Sequence, residues 1–188
     1  MVVGLPGFRR GPPAALGQDL ARPSGRRAPG AAMATAVEQR IAELGLSIPK
    51  PVAPVGSYLP WKKAGTIVYI SGQIPRGEDN SLLTGTLGAG YSIDEGKAAA
   101  RLCAINLIAQ MKSACDGDLG KVKQILQVQG FVNSSPDFTD HPQVINGCSE
   151  LLVEVFGKEV GSHSRFAVGN TSLPLGVAVE IGAVIEVE

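Results

Sequence analysis

This 188-residue sequence predicts an α+β fold, with two helices packed on one face of a mixed sheet in the order β-β-α-β-α-β-β. Three observations carry that expectation. At the C-terminal end Val177, Val179, Ile181, Ala183, Ile185 and Val187 alternate with Ala178, Glu180, Gly182, Val184, Glu186 and Glu188, which is the period of a strand with one buried face. Ser92 and Glu95 have the spacing of a capping box. They open a run in which Ala98, Leu102, Ile105 and Ala109 recur at helical intervals. TIVYISGQ (Thr66 to Gln73) is rich in β-branched residues, as strands are.

Taken in order, the chain opens with a stretch unlike the rest. Residues 1–32 hold Arg9, Arg10, Arg22, Arg26 and Arg27 against the single acid Asp19, and are dense in Pro, Gly and Ala. They lack the periodic apolar residues that could offset the entropy of ordering, so a disordered extension is expected ahead of one domain over 33–188. An Arg-rich, acid-poor start is also the composition of an organelle-targeting segment, although its prolines oppose a continuous amphipathic helix. The other reading is an upstream extension ahead of a start at Met33. The compartment expected is the cytoplasm, or the mitochondrion if the extension is a transit segment.

VEQRIAEL (Val37 to Leu44) fits a short helix stopped by Gly45, and PKPVAP a stiff linker. SYLPW and TIVYISGQ are read as the first two strands, followed by a loop in which Asp79 and Asn80 are turn residues. DGDLG (Asp116 to Gly120) closes the long helix, and VKQILQVQGFVN (Val122 to Asn133) is the third strand. Asp140 can cap a second helix with Val144, Cys148, Leu152 and Val155 on one face and Gly157 as its stop. The approach from Arg165 is a separate strand. In the second strand, Val68 and Ile70 point one way while Ile67 and Tyr69 point the other. Helices on one side leave the second set wet, so the bare face is expected to pack on another copy of the chain.

Composition narrows the function classes. Basic and acidic residues balance at 17 each, and no row of aromatics stands beside basic residues, so a nucleic-acid partner is not expected. No apolar run approaches the roughly 20 residues of a membrane helix. Cys103, Cys115 and Cys148 are odd in number and show no CxxC spacing, as reduced core residues would. With two histidines, His141 and His163, and no Cys/His cluster, no metal site is expected.

Ser57-Tyr58 after Gly56, ISGQIP (Ile70 to Pro75), NGCSE (Asn146 to Glu150) and SRFAVGNTSLPLGVAVEI together resemble the YjgF-like family. This is also called the reactive-intermediate deaminase (Rid) family and, in older descriptions, endoribonuclease L-PSP. Ala167 stands where archetypal members often carry a cysteine, which marks a divergent branch. The resemblance implies a chorismate-mutase-like fold, a homotrimer with clefts between subunits, and hydrolysis of 2-imino or 2-enamino acids to 2-keto acids and ammonia. It implies no cofactor. By motif, Arg165 matches the carboxylate-binding arginine, Tyr58, Ser71 and Asn146 substrate-binding positions, and Glu180 the acid that would orient or deprotonate the attacking water.

Each residue also has a plainer reading. Arg165 can be a bidentate fork for a carboxylate, or a structural ion pair or snorkelling side chain. Glu180 shares a strand face with Glu186 and Glu188, as a solvated edge would. Tyr58 can be an interface aromatic, Ser71 a serine bonding nearby backbone, and Asn146 the donor or acceptor of a buried hydrogen bond. His163 has no acid or nucleophile pattern beside it in sequence, so no triad is predicted. Two other functions remain: a non-catalytic module binding a small carboxylate, and an endoribonuclease or translation inhibitor. The latter is opposed by the lack of a basic stripe.

Overall fold

The computed structural model describes residues 35–51 and 56–188. The extension expected over 1–32 and half of the PKPVAP linker (52–54) therefore lie outside the described residues. Helix α1 (Ala36–Glu43) is followed by β1 (Trp61–Ala64), β2 (Ile67–Gln73), α2 (Ile93–Ala114), β3 (Val122–Asn133), α3 (His141–Gly161), β4 (Ser164–Asn170) and β5 (Val179–Val187). Short 3-10 turns lie at Leu119–Lys121 and Pro174–Gly176. After α1 the order is the β-β-α-β-α-β-β expected from the sequence.

The five strands form one mixed sheet in the spatial order β1-β2-β5-β3-β4. Only β3 and β4 are parallel, joined by the α3 crossover, and every other pair is antiparallel. The C-terminal strand therefore ends in the centre of the sheet. Its inward residues Val179, Ile181, Ala183, Ile185 and Val187 are buried, in the alternation read from the sequence. They pack with Val68, Ile70, Ile125, Val128 and Val132 under the two long helices.

Local signals explain most boundaries. Both Thr35 with Glu38 and Ser92 with Glu95 form complete capping boxes, opening α1 and α2. α2 stops where Asp116 and Gly117 adopt positive φ, 54° and 92°. Four local expectations need correction. The first strand is Trp61–Ala64 rather than SYLPW, pinned where Trp61 Nε1 donates to Ser113 Oγ of α2 (3.4 Å). The side of α2 that faces the core is Ala99, Ala100, Cys103, Ala104, Leu107, Ile108 and Met111. The stripe read from the sequence lies to one side of it, with Ala98 exposed and Leu102 and Ile105 half-buried. Asp140 occupies the N-cap position of α3 without bonding the helix backbone, and its carboxylate accepts from Gln143 Nε2 instead (2.8 Å). Gly157 breaks the helical path (φ 78°, ψ 165°), yet a last turn continues to Gly161.

Close contact between α2 and α3 depends on the absence of a side chain at Gly147. A Cβ there would collide with the backbone carbonyl of Lys97 on α2, and main chain cannot swing aside as a side-chain tip can. Gly147→Ala is expected to destabilise the fold by about 1–3 kcal/mol through overpacking. It should appear as a lower urea midpoint with unchanged slope, and an unchanged midpoint would contradict the packing described.

Candidate functional site

Arg165 sits on β4 directly opposite Val128 of β3, a buried residue of the helix-facing side. Residues in register share a face, so the guanidinium turns toward α3. There Nη1 donates to Asn146 Oδ1 (2.8 Å) and Ser149 Oγ (3.1 Å), and Nη2 to the Pro142 carbonyl (3.3 Å). Asn146 and Ser149 are one helical turn apart and so present both acceptors on one side of α3. All three acceptors are neutral, and among the described residues no carboxylate lies within ion-pair distance of Arg165. A guanidinium carries five N–H groups. Both Nη1 hydrogens and one on Nη2 are engaged, which leaves Nε–H and the second Nη2 hydrogen, a pair suited to the two oxygens of a carboxylate.

Ser149 and His163 belong to this cluster, and the sequence did not reveal it. Ser149 Oγ lies 3.0 Å from His163 Nε2, and His163 Nδ1 lies 2.7 Å from the Gly161 carbonyl oxygen. Burial, followed by the neighbouring Arg165 charge, pushes the His163 pKa down and keeps the ring neutral, against the raising effect of its bond to Gly161. The serine and histidine are 14 residues apart, on a helix and just before a strand. Only the crossover brings them together.

The other predicted residues lie across the sheet. Glu180 alternates with buried Val179 and Ile181 and faces away from the helices, opposite Phe131. It is half-buried, and desolvation raises its carboxyl pKa above the usual glutamate value. Its carboxyl occupies the space that a side chain at Gly72 would need, so the glycine of SGQ makes room for the acid. Ser71 Oγ donates to the Leu59 carbonyl (2.7 Å). That bond ties β2 to the segment carrying Tyr58, whose ring is half-exposed. A cavity of about 380 Å³ opens beside them, lined by Leu59, Lys62, Tyr69, Ser71, Gln129 and Val184 among others. Arg165 and Asn146 are therefore brought together, Ser71 and Glu180 share the opposite face, and one chain does not join the two sets. The three cysteines are buried, with the Cys148 thiol pushed up to about 12 by desolvation. Among the described residues no cluster of metal-ligating side chains is present, and no helix is long and apolar enough to cross a membrane.

Comparison with known proteins agrees with this architecture. Residues 38–185 match the family described as "YjgF/chorismate_mutase-like, putative endoribonuclease", and the chain belongs to that family. A Trypanosoma cruzi protein named TCP17 is 43% identical over 150 residues, covering 80% of this chain and 93% of the relative. A Dermatophagoides farinae protein named 2-iminobutanoate/2-iminopropanoate deaminase is 26% identical over 144 residues, covering 76% and 95%. The crystal structure of a Shewanella oneidensis protein, described as a "putative endoribonuclease", superposes with a TM-score of 0.77 at 38% identity. It covers 81% of this chain and 100% of that one.

The environment of Glu180 gives a pH test. A raised carboxyl pKa means that the folded state holds the proton more tightly than the unfolded chain. Glu180 therefore favours folding below the ordinary glutamate pKa, and that advantage is lost as pH rises through the elevated value. Glu180→Gln removes the ionisation cost. Its urea midpoint relative to wild type is expected to increase between pH 4 and pH 7, and a pH-independent difference would contradict the desolvated placement.

Proposed function

We propose that the protein hydrolyses 2-imino acids, with their enamine tautomers, to 2-keto acids and ammonia. It would do so as a homotrimer whose sites lie between subunits. The observation that carries this reading is the half-buried Arg165, fixed by neutral acceptors and keeping an N–H pair for an anion. A small carboxylate supplies the missing negative charge, and charge-assisted bonds to it are stronger than those to neutral oxygens. The name of the mite relative supports the substrate class.

Since Arg165 and Glu180 face opposite sides of one sheet, the site is assembled from two protomers. Arg165 and Asn146 come from one, and Tyr58, Ser71 and Glu180 from its neighbour. The apolar surface supports such an assembly: Tyr69, Phe166 and Val168 are 54%, 58% and 43% exposed on the face that no described helix covers. Arg165 holds the substrate carboxylate, which places the imine carbon beside a water near Glu180. The carboxylate of Glu180 accepts a water proton as oxygen bonds to that carbon, and the C=N π pair moves to nitrogen, which takes a proton from solvent. The protonated Glu180 then returns its proton to the carbinolamine amine, ammonia leaves with both electrons of the C–N bond, and the hydroxyl proton passes to solvent as the keto group forms. A base whose pKa is lifted toward neutrality suits this step, and fixed orientation of an already reactive substrate supplies much of the rate.

Arg165→Ala is expected to lower keto-acid release from freshly generated 2-iminobutanoate roughly 10- to 100-fold, the loss of a charge-assisted contact. Wild-type release would overturn the assignment. Arg165→Ala and Glu180→Gln chains, each impaired alone, are denatured together and reassembled, and about one quarter of the sites are expected to be wild-type in both residues if each site spans two subunits at random mixing. No recovery would place both residues' action within one chain. Sedimentation at micromolar concentration should give the trimer mass, and a monomer would remove the intersubunit site.

A further inference from the structure

Arg165 stands at the end of a hydrogen-bond chain whose direction is fixed by its far terminus. The Gly161 carbonyl can only accept, so His163 Nδ1 (2.7 Å away) carries the proton. In a neutral ring Nε2 is then an acceptor, and Ser149 Oγ at 3.0 Å must donate to it. With its own hydrogen committed, the serine oxygen offers lone pairs alone, and one takes Arg165 Nη1 at 3.1 Å. For the neutral ring the order is Arg165 to Ser149 to His163 to the backbone. A hydroxyl that already donates is a better acceptor, so each bond strengthens the next.

Backbone anchors both ends of this chain. His163 lies just before β4, on the carbonyl of the residue that closes α3, and Ser149 is held within α3 itself. Asn146 Oδ1 takes the other Nη1 hydrogen at 2.8 Å. With both Nη1 hydrogens fixed, rotation of the guanidinium is restricted and the Nε/Nη2 edge is held in one direction. Ser149 and His163 have no part in the chemistry assigned to Arg165 and Glu180, and no acid stands in the chain to make the serine a nucleophile.

We propose that Ser149 and His163 are positioning residues for anion recognition, His163 acting through Ser149 to orient Arg165 toward the carboxylate of a small 2-imino or 2-keto acid. The proposal rests on the carboxylate-binding reading of Arg165 and adds the device that aims it. The histidine is a neutral acceptor here, neither a catalytic base nor a charge for the substrate.

The test uses the intact assembled protein, with 2-oxobutanoate binding by calorimetry and 2-iminobutanoate turnover measured in parallel. Ser149→Ala is expected to weaken 2-oxobutanoate binding about tenfold while the maximal rate changes less than about twofold, the pattern of lost ground-state alignment. His163→Leu should weaken binding to the same degree, and the double variant no further, because the two act as one unit. His163→Gln keeps an acceptor for the serine and should recover most of the affinity. Ser149→Ala, a substitution that suits a helix, keeps the test available if His163→Leu fails to fold. Wild-type affinity in folded Ser149→Ala overturns the relay, as does a histidine effect that adds to the serine effect. Arg165→Ala separates the two levels. If it binds 2-oxobutanoate normally, the carboxylate reading fails. If it loses binding while Ser149→Ala retains it, only the relay fails.

Discussion

A guanidinium held half inside the protein without a carboxylate beside it among the described residues is the constraint around which the rest of the structure is arranged. Three of its five N–H groups are satisfied by Asn146, Ser149 and the Pro142 carbonyl, so the desolvation of those donors is compensated. Its charge is not. An internal ion pair would have been the easier way to place an arginine there, and would have closed the site to any other anion. The same constraint accounts for an asparagine at position 146, a residue type poorly suited to a helix interior, and for a serine one turn further on.

The sheet turns that local arrangement into a problem of assembly. Its helix-facing side is filled by Val68, Ile125, Val128, Ile181 and Ile185, all fully buried. Its other side carries Glu180 and, around an open cavity, Tyr69, Gln129 and Val184. β4, which bears Arg165, is an edge strand at the far end from β1 and β2, where Ser71 and the Tyr58 segment lie. Residues so divided can serve one reaction only when copies of the chain come together. On the proposed function, catalysis and oligomerisation are coupled: covering the apolar face and completing the site are the same event.

Much of the fold was legible because its signals are local. The Ser92/Glu95 capping box, the Val122–Asn133 strand and the C-terminal strand can each be read within a few residues; the first two are present as read, while the last begins at Val179 rather than Val177, with Val177 and Ala178 both buried ahead of it. The errors arose where long-range packing overrides local pattern. Trp61–Ala64 is a strand with two lysines and no alternation of burial, made so by pairing with β2. Small residues such as Ala99, Ala100 and Ala104 are core because α2 packs against both the sheet and the neighbouring α3, which hydrophobic spacing alone does not distinguish from Ala98. Arg165 was legible only through its motif, and Asn146 likewise. Ser149 and His163 carried no sequence signal, since their link is created by the crossover that returns the chain from α3 to β4.

The most direct measurement of whether Arg165 is an anion receptor is a crystal structure of the assembled protein soaked with a 2-keto acid. The account predicts the ligand carboxylate on the Nε and Nη2 edge of Arg165, with its keto carbon facing Glu180 of a neighbouring protomer. A keto acid bound elsewhere, with the Arg165 contacts unchanged, would contradict it.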